Sequence, residues 1–205
     1  MGDCENCKAT FALLEGGSVK SSDRALELDQ REPLCRCQKH SVSEHSKGPV
    51  ADNEVLIRLL VAPQHMHKKG GPKAGALSDA ESHGLSLLRE DTASDKDIRD
   101  LAEFLVSRAR KNNGEKAGLF GVLRMSCATI REFCAPDEDK PCYCVYDTGL
   151  KDRTCHAEAF QRVANSDKAV HDLRRNNLFS VVRTTFVPTS EFRGGILNDL
   201  APSAT

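Results

Sequence analysis

Apolar residues recur along this chain in two rhythms, separated by polar breaks. Residues 54–61 are apolar on both faces and partly β-branched, as a central strand would be, and Ala62 with Pro63 ends the run. Shorter apolar runs at 84–90 and 118–125 predict two more strands. Cys142 to Tyr146 predicts a fourth, with Cys142 and Cys144 on one face because strand side chains alternate. Between these, Ile98, Leu101, Ala102, Leu105, Val106 and Ala109 follow the helical period instead. Ser94 and Asp97 make a capping pair, acidic Asp95, Asp97 and Asp100 load the positive amino end, and Arg108, Arg110 and Lys111 load the other. Asn112, Asn113 and Gly114 stop this helix, which spans 94–111. A short helix at 126–134, a last helix capped by Ser166 and carrying Ala169, Val170 and Leu173, and a strand over 179–187 complete the pattern. The sum predicts a compact mixed α+β domain at 54–200.

Before it, residues 40–53 are polar and rich in breakers, as a linker is. Residues 11–14 and 25–28 read as two short strands around Gly16 and Gly17. Cys4 and Cys7 are spaced as a chelating pair, and Cys35, Cys37 and His40 lie on the far side of that hairpin. Cys4, Cys7, Cys35 and Cys37 are the expected ligands of one tetrahedral Zn2+, with His40 an alternative for one cysteine of the second pair. So small a piece buries too little apolar area to hold itself together, and metal binding would supply the missing folding free energy. Over residues 4–40 the pattern resembles zinc-ribbon and zinc-knuckle modules. That resemblance implies a small zinc-ribbon-like module at 1–45 and names no partner.

Composition narrows the class. A chain of 205 residues with 39% hydrophobic and 29% charged positions holds one core of ordinary size with a small module beside it. A formal charge of −1 gives the molecule no general pull toward nucleic acid or anionic lipid. Nucleic acid could be met only through the local basic, glycine-rich loop at 64–73, which lacks the Gly-Lys-Ser/Thr ending of a phosphate loop and reads as solvated. No stretch has the eighteen or so apolar residues of a membrane helix, and the acidic start from Met1 to Glu5 is unlike a signal peptide, so a cytoplasmic location is expected. In a reducing compartment nine cysteines, an odd number, point to metal rather than to a disulfide framework.

The densest chemistry lies between Cys142 and Phe160, where three thiols, an imidazole and a carboxylate fall close in sequence. The run Cys155, His156, Ala157, Glu158 resembles the zinc and proton-shuttle motif of cytidine-deaminase-like enzymes. The resemblance implies His156 and Glu158 as a catalytic pair, although Pro141, Cys142 and Cys144 precede the motif here, with one residue between the thiols. A second structural zinc could instead draw on Cys127, Cys134, Cys142, Cys144, Cys155 and His156, or those thiols could simply pack as small hydrophobes. Arg58, charged inside an apolar strand, is either a structural ion pair or points into a site. Its order with a late Glu191 resembles ADP-ribosyltransferase-like folds, without their serine-threonine-serine strand. The succession of Arg58, the run at 84–90, a helix, a glycine-containing strand and His156 with Ala157 is similar to a group of small bacterial proteins of no assigned activity. Two functions result. One is a zinc-binding intracellular accessory protein that docks a protein partner in a larger bacterial or phage assembly. The other is a zinc-dependent hydrolase or deaminase centred on His156 and Glu158.

Overall fold

A computed structural model describes residues 4–17, 19–164 and 166–202, so Met1 to Asp3 of the acidic start lie outside the described residues. Six strands, β1 (Val55–Ala62), β2 (Leu85–Arg89), β3 (Gly118–Ser126), β4 (Tyr143–Tyr146), β5 (His156–Gln161) and β6 (Phe186–Pro188), form one antiparallel sheet in the order β4-β5-β2-β1-β3-β6. With the helices α1 (Glu5–Glu15), α2 (Arg24–Arg31), α3 (Asp95–Asn113), α4 (Cys127–Arg131) and α5 (Lys168–Val182), the protein is a mixed α+β fold.

Alternation along the strands sorts the core into two faces. Ile57, Leu59 and Val61 of β1 with Leu88 of β2 and Val122 of β3 pack under Ile98, Ala102 and Val106 of α3. Leu56 and Leu60, with Leu85, Leu87, Leu123 and Val145, face the other way and are covered by Leu178 and Val182 of α5 and by the 3-10 helix Ala74–Glu81. α3 is placed by the signals its sequence carries. Ser94 accepts from the Asp97 backbone N–H, and the Asp97 carboxylate accepts from the Ser94 N–H, a complete capping box.

Three local expectations change. Residues 11–14 and 25–28 lie in helices α1 and α2, not strands, because Cys7, Phe11 and Leu14 recur at helical spacing and bury one stripe. The expected strand at 179–187 is mostly helix: α5 runs through Val182, whose side chain is buried one turn beyond Leu178, and only Phe186–Pro188 pairs with β3. Its N-cap is Asp167, which accepts from Val170 N–H at 3.0 Å, in place of Ser166.

The amino-terminal helices lie on the same face as α3, beside it. Cys7, Phe11, Leu14, Ala25, Leu28, Cys37 and Val42 share one apolar cluster with Cys144 and Tyr146 of β4 and with Phe160 of β5. Asp29, itself buried, pairs with Arg162 at 3.2 Å and accepts from Ala164 N–H at 2.8 Å. The polar stretch at 40–53 is anchored at intervals, with Val42 and Val50 buried and the Gly48 carbonyl accepting from Arg89 at 2.6 Å, while Ala51, Asp52 and Asn53 are exposed. None of the described helices is long and apolar enough to cross a membrane.

Candidate active site

Between α3 and the α1–α2 cover a cleft of about 900 Å³ opens onto the sheet, and its floor is polar. The register explains why these side chains meet. Ser86 stands opposite Glu158, and Leu88 opposite His156, so Ser86, His156 and Glu158 share the α3 face of two neighbouring strands. β1 and β2 pair only through Leu56 with Arg89 and Ile57 with Leu88. Beyond that the ladder ends, and the Arg58 guanidinium donates to the Ser86 carbonyl at 3.2 Å and to Asp79 Oδ2 at 2.5 Å. Both readings of Arg58 hold at once, since it is ion-paired and lines the cleft.

His156 is the centre of a hydrogen-bonded chain. Its Nδ1 lies 2.9 Å from Thr148 Oγ1 and 3.4 Å from the Thr148 carbonyl, which can only accept, so the ring proton belongs on Nδ1. Nε2 then accepts from the Ser86 hydroxyl at 2.9 Å. Glu158, two residues further along the same strand, pairs with Arg24 of α2 at 3.2 Å. Ser86, His156 and Thr148 therefore form one hydrogen-bonded chain, with Glu158 beside it; all four line the cleft, and Ser86 is the least buried of them. Thr148 is held in turn by its neighbour Asp147, which is fully buried against Arg89 at 3.3 Å and bonded by the Ser46 hydroxyl.

Burial sets the protonation states. It pushes His156 down to about 4, against the hydrogen bond to Thr148 and aided by the Arg153 and Arg24 charges. It pushes Glu158 up, against the charge and hydrogen bond of Arg24. Burial also drives His65, whose Nδ1 accepts from Val61 N–H at 3.1 Å, down to about 4. Asp79 goes the other way: burial alone would raise it, but the His83 hydrogen bond and the Arg58 guanidinium hold it well below the usual carboxylate range. Arg24 is matched by Glu158 and Arg58 by Asp79, whereas half-buried Arg153 lines the cleft and has no ion pair among the described residues. Gly84 makes the close approach possible. Its φ is +95°, and a Cβ there would lie 2.6 Å from the Phe160 ring and 3.1 Å from Glu158 Oε1.

His156 and Glu158 thus line the same cleft. The metal part of the expectation looks different. Cys7 is bonded to Cys37 and Cys35 to Cys144, while Cys4 is a free, half-buried thiol. Cys4, Cys7, Cys35 and Cys37 are therefore not assembled as four free ligands, and His40 stays outside both pairs. Among the described residues no group of three or more His, Cys, Asp or Glu side chains stands ready to hold a metal ion. The second cysteine group is dispersed. Cys127 packs in the α5-side core, Cys155 under α3, Cys144 under the amino-terminal cover, Cys134 is exposed, and Cys142 bonds Glu138 at 2.8 Å. Both nitrogens of His156 are already engaged, so it has no lone pair to offer a metal in this arrangement.

Ser86, Thr148, Arg24 and Arg153 were not foreseen. Ser86 had a signal, a lone hydroxyl in an apolar strand and out of phase with Leu85 and Leu87. Arg24 and Thr148 had none, because their roles depend on contacts 134 and 8 residues away along the chain. No family model matches this chain, nor does any curated protein or solved structure.

Proposed function

We propose that the protein is a hydrolase that cleaves an ester or amide of a small acidic molecule, with Ser86 as nucleophile and His156 as its base. The observation carrying this reading is the cleft-facing Ser86 hydroxyl 2.9 Å from His156 Nε2, on a ring whose Nδ1 is anchored by Thr148. Such an anchor fixes the imidazole tautomer, so that Nε2 can take the Ser86 proton as Oγ attacks a carbonyl carbon. The same proton then goes to the departing oxygen or nitrogen, and water releases the acyl group from Ser86 by the reverse transfer. Glu158 lies on the same strand face as His156, and its ion pair with Arg24 offsets part of the cost of burying its charge. Arg153, which has no carboxylate partner among the described residues, supplies the charge complement for an acidic group on the substrate.

The test is labelling by a fluorophosphonate probe together with turnover of p-nitrophenyl hemisuccinate and p-nitrophenyl acetate. Stoichiometric labelling at Ser86, abolished in Ser86→Ala and cut at least tenfold in His156→Ala, is expected. Arg153→Gln should raise KM for the hemisuccinate several-fold and leave the acetate unchanged. No labelling of folded wild-type protein, or labelling that survives Ser86→Ala, overturns the assignment. The accessory-subunit reading has its own support in exposed Leu13, Leu26 and Leu34 on the amino-terminal cover, which suit an apolar protein partner. Loss of a co-purifying protein in Leu34→Asp, with labelling of Ser86 absent, would favour it.

A further inference from the structure

Away from the cleft, the fold gathers four sulfurs at one place. Cys7 comes from α1, Cys35 and Cys37 from the 3-10 turn at Arg36–Lys39, and Cys144 from β4, so three separate segments meet there. The Cα atoms are 5.4 Å apart for Cys7 and Cys37 and 5.9 Å apart for Cys35 and Cys144. Only Arg36 separates the two pairs in sequence, and Cys7, Cys37 and Cys144 lie in one buried cluster with Cys35 packed against it. We propose that Cys7, Cys35, Cys37 and Cys144 form a tetrathiolate Zn2+ site that fastens the α1–α2 cover to the sheet whenever the two disulfides are reduced.

Geometry permits the exchange. Tetrahedral zinc at about 2.3 Å from each sulfur sets the sulfurs about 3.8 Å from one another. A disulfide holds its pair at about 2.0 Å, so within each pair the sulfurs need to part by under about 2 Å. Cα separations of 5.4 and 5.9 Å keep the members of each pair within reach of one ion, and the single residue between Cys35 and Cys37 ties the two pairs together. One further observation favours the reduced, metallated form. Five other cysteines, including exposed Cys134 and half-buried Cys4, stay unpaired, which is the pattern of a chain in a reducing setting and not of an oxidised framework.

The chemistry balances. Two equivalents of a dithiol reductant convert the two disulfides into four thiols and are themselves oxidised to two cyclic disulfides. One Zn2+ then displaces the four thiol protons and leaves a tetrathiolate centre of charge −2.

The test uses full-length protein reduced with dithiothreitol under nitrogen, desalted, and titrated with Zn2+ against a chromophoric chelator. One zinc per chain is expected, with affinity lowered at least tenfold in Cys7→Ser and in Cys144→Ser and unchanged in Cys4→Ser. Because Cys144→Ser could fail to fold, the wild type carries a second measurement, iodoacetamide labelling read by peptide mass spectrometry. Zn2+ should protect Cys7, Cys35, Cys37 and Cys144 together while Cys4 and Cys134 are alkylated. Failure of the reduced chain to take up stoichiometric zinc overturns the proposal. So does protection of Cys4 in place of Cys144, which would restore the ligand set expected from sequence spacing alone.

Discussion

His156 keeps a neutral ring in a place where charge is costly, and that choice has a measurable price in acid. Its folded value near 4 lies below the ordinary 6.5, so between those values the unfolded chain binds a proton that the folded chain refuses. Stability from this residue is full above pH 6.5 and is lost as pH falls toward 4. The loss is about 2 kcal/mol by pH 5 if the whole shift is realised. His65, shifted likewise, adds to the loss in the same window. Asp147, pushed up to about 6 by burial, and Glu158, also raised, work in the opposite sense. The clean comparison is therefore urea unfolding of wild type and His156→Gln at pH 7.5 and pH 5. The variant should lose less stability across the interval, and an equal loss in both proteins would show that His156 is charged in the fold. Legibility also differs residue by residue. His156 and Glu158 stood out because they neighbour each other in sequence, whereas Arg24 acts on Glu158 across 134 residues and left no local trace.

At the scale of elements, α3 was readable to within two residues because its caps, charges and apolar stripe all agree. The Ser94 side chain secures its first turn, so Ser94→Ala should cost about 1 kcal/mol in chemical denaturation. Ile98→Ala, which empties a fully buried position, should cost about 2 to 5 kcal/mol. A Ser94→Ala effect below a few tenths would mean that tertiary packing alone fixes that end. α1 and α2 were misread for an identifiable reason. The run at 11–14, followed by two glycines, has the look of a hairpin arm, and the helical recurrence of Cys7, Phe11 and Leu14 spans the very residues that suggested a zinc ribbon. α5 was cut short because Phe179, Val181 and Val182 favour strands in isolation, and burial of Leu178 and Val182 one turn apart overrode that preference. β5 escaped notice for the opposite reason, since its glutamate, histidine and glutamine are polar residues buried by the site they build.

For the whole molecule, the central question is how far the first 45 residues stand apart. Linker composition argues for independence, yet the shared cluster with β4 and β5 and the Arg24 to Glu158 pair argue for one cooperative unit. Protein lacking residues 1–45 would expose Tyr146 and Phe160 and leave Glu158 without its Arg24 partner. It should unfold at a melting temperature several degrees lower, with amide exchange accelerated in β4 and β5. Unchanged protection in those strands would establish a separable module instead. The seam beneath the cleft has a bearing of its own on how the molecule could move. β1 with β3 shares eight paired positions, and β2 with β5 shares four, but the two halves of the sheet meet through two. The sheet is thus two stiff plates stitched at one end, and Arg58 bridges the unstitched length with a side chain where a backbone ladder would otherwise run. Any change in the angle between the plates would therefore alter the width of the opening that holds Ser86 and Arg153, because α3 packs on one and the amino-terminal helices on the other.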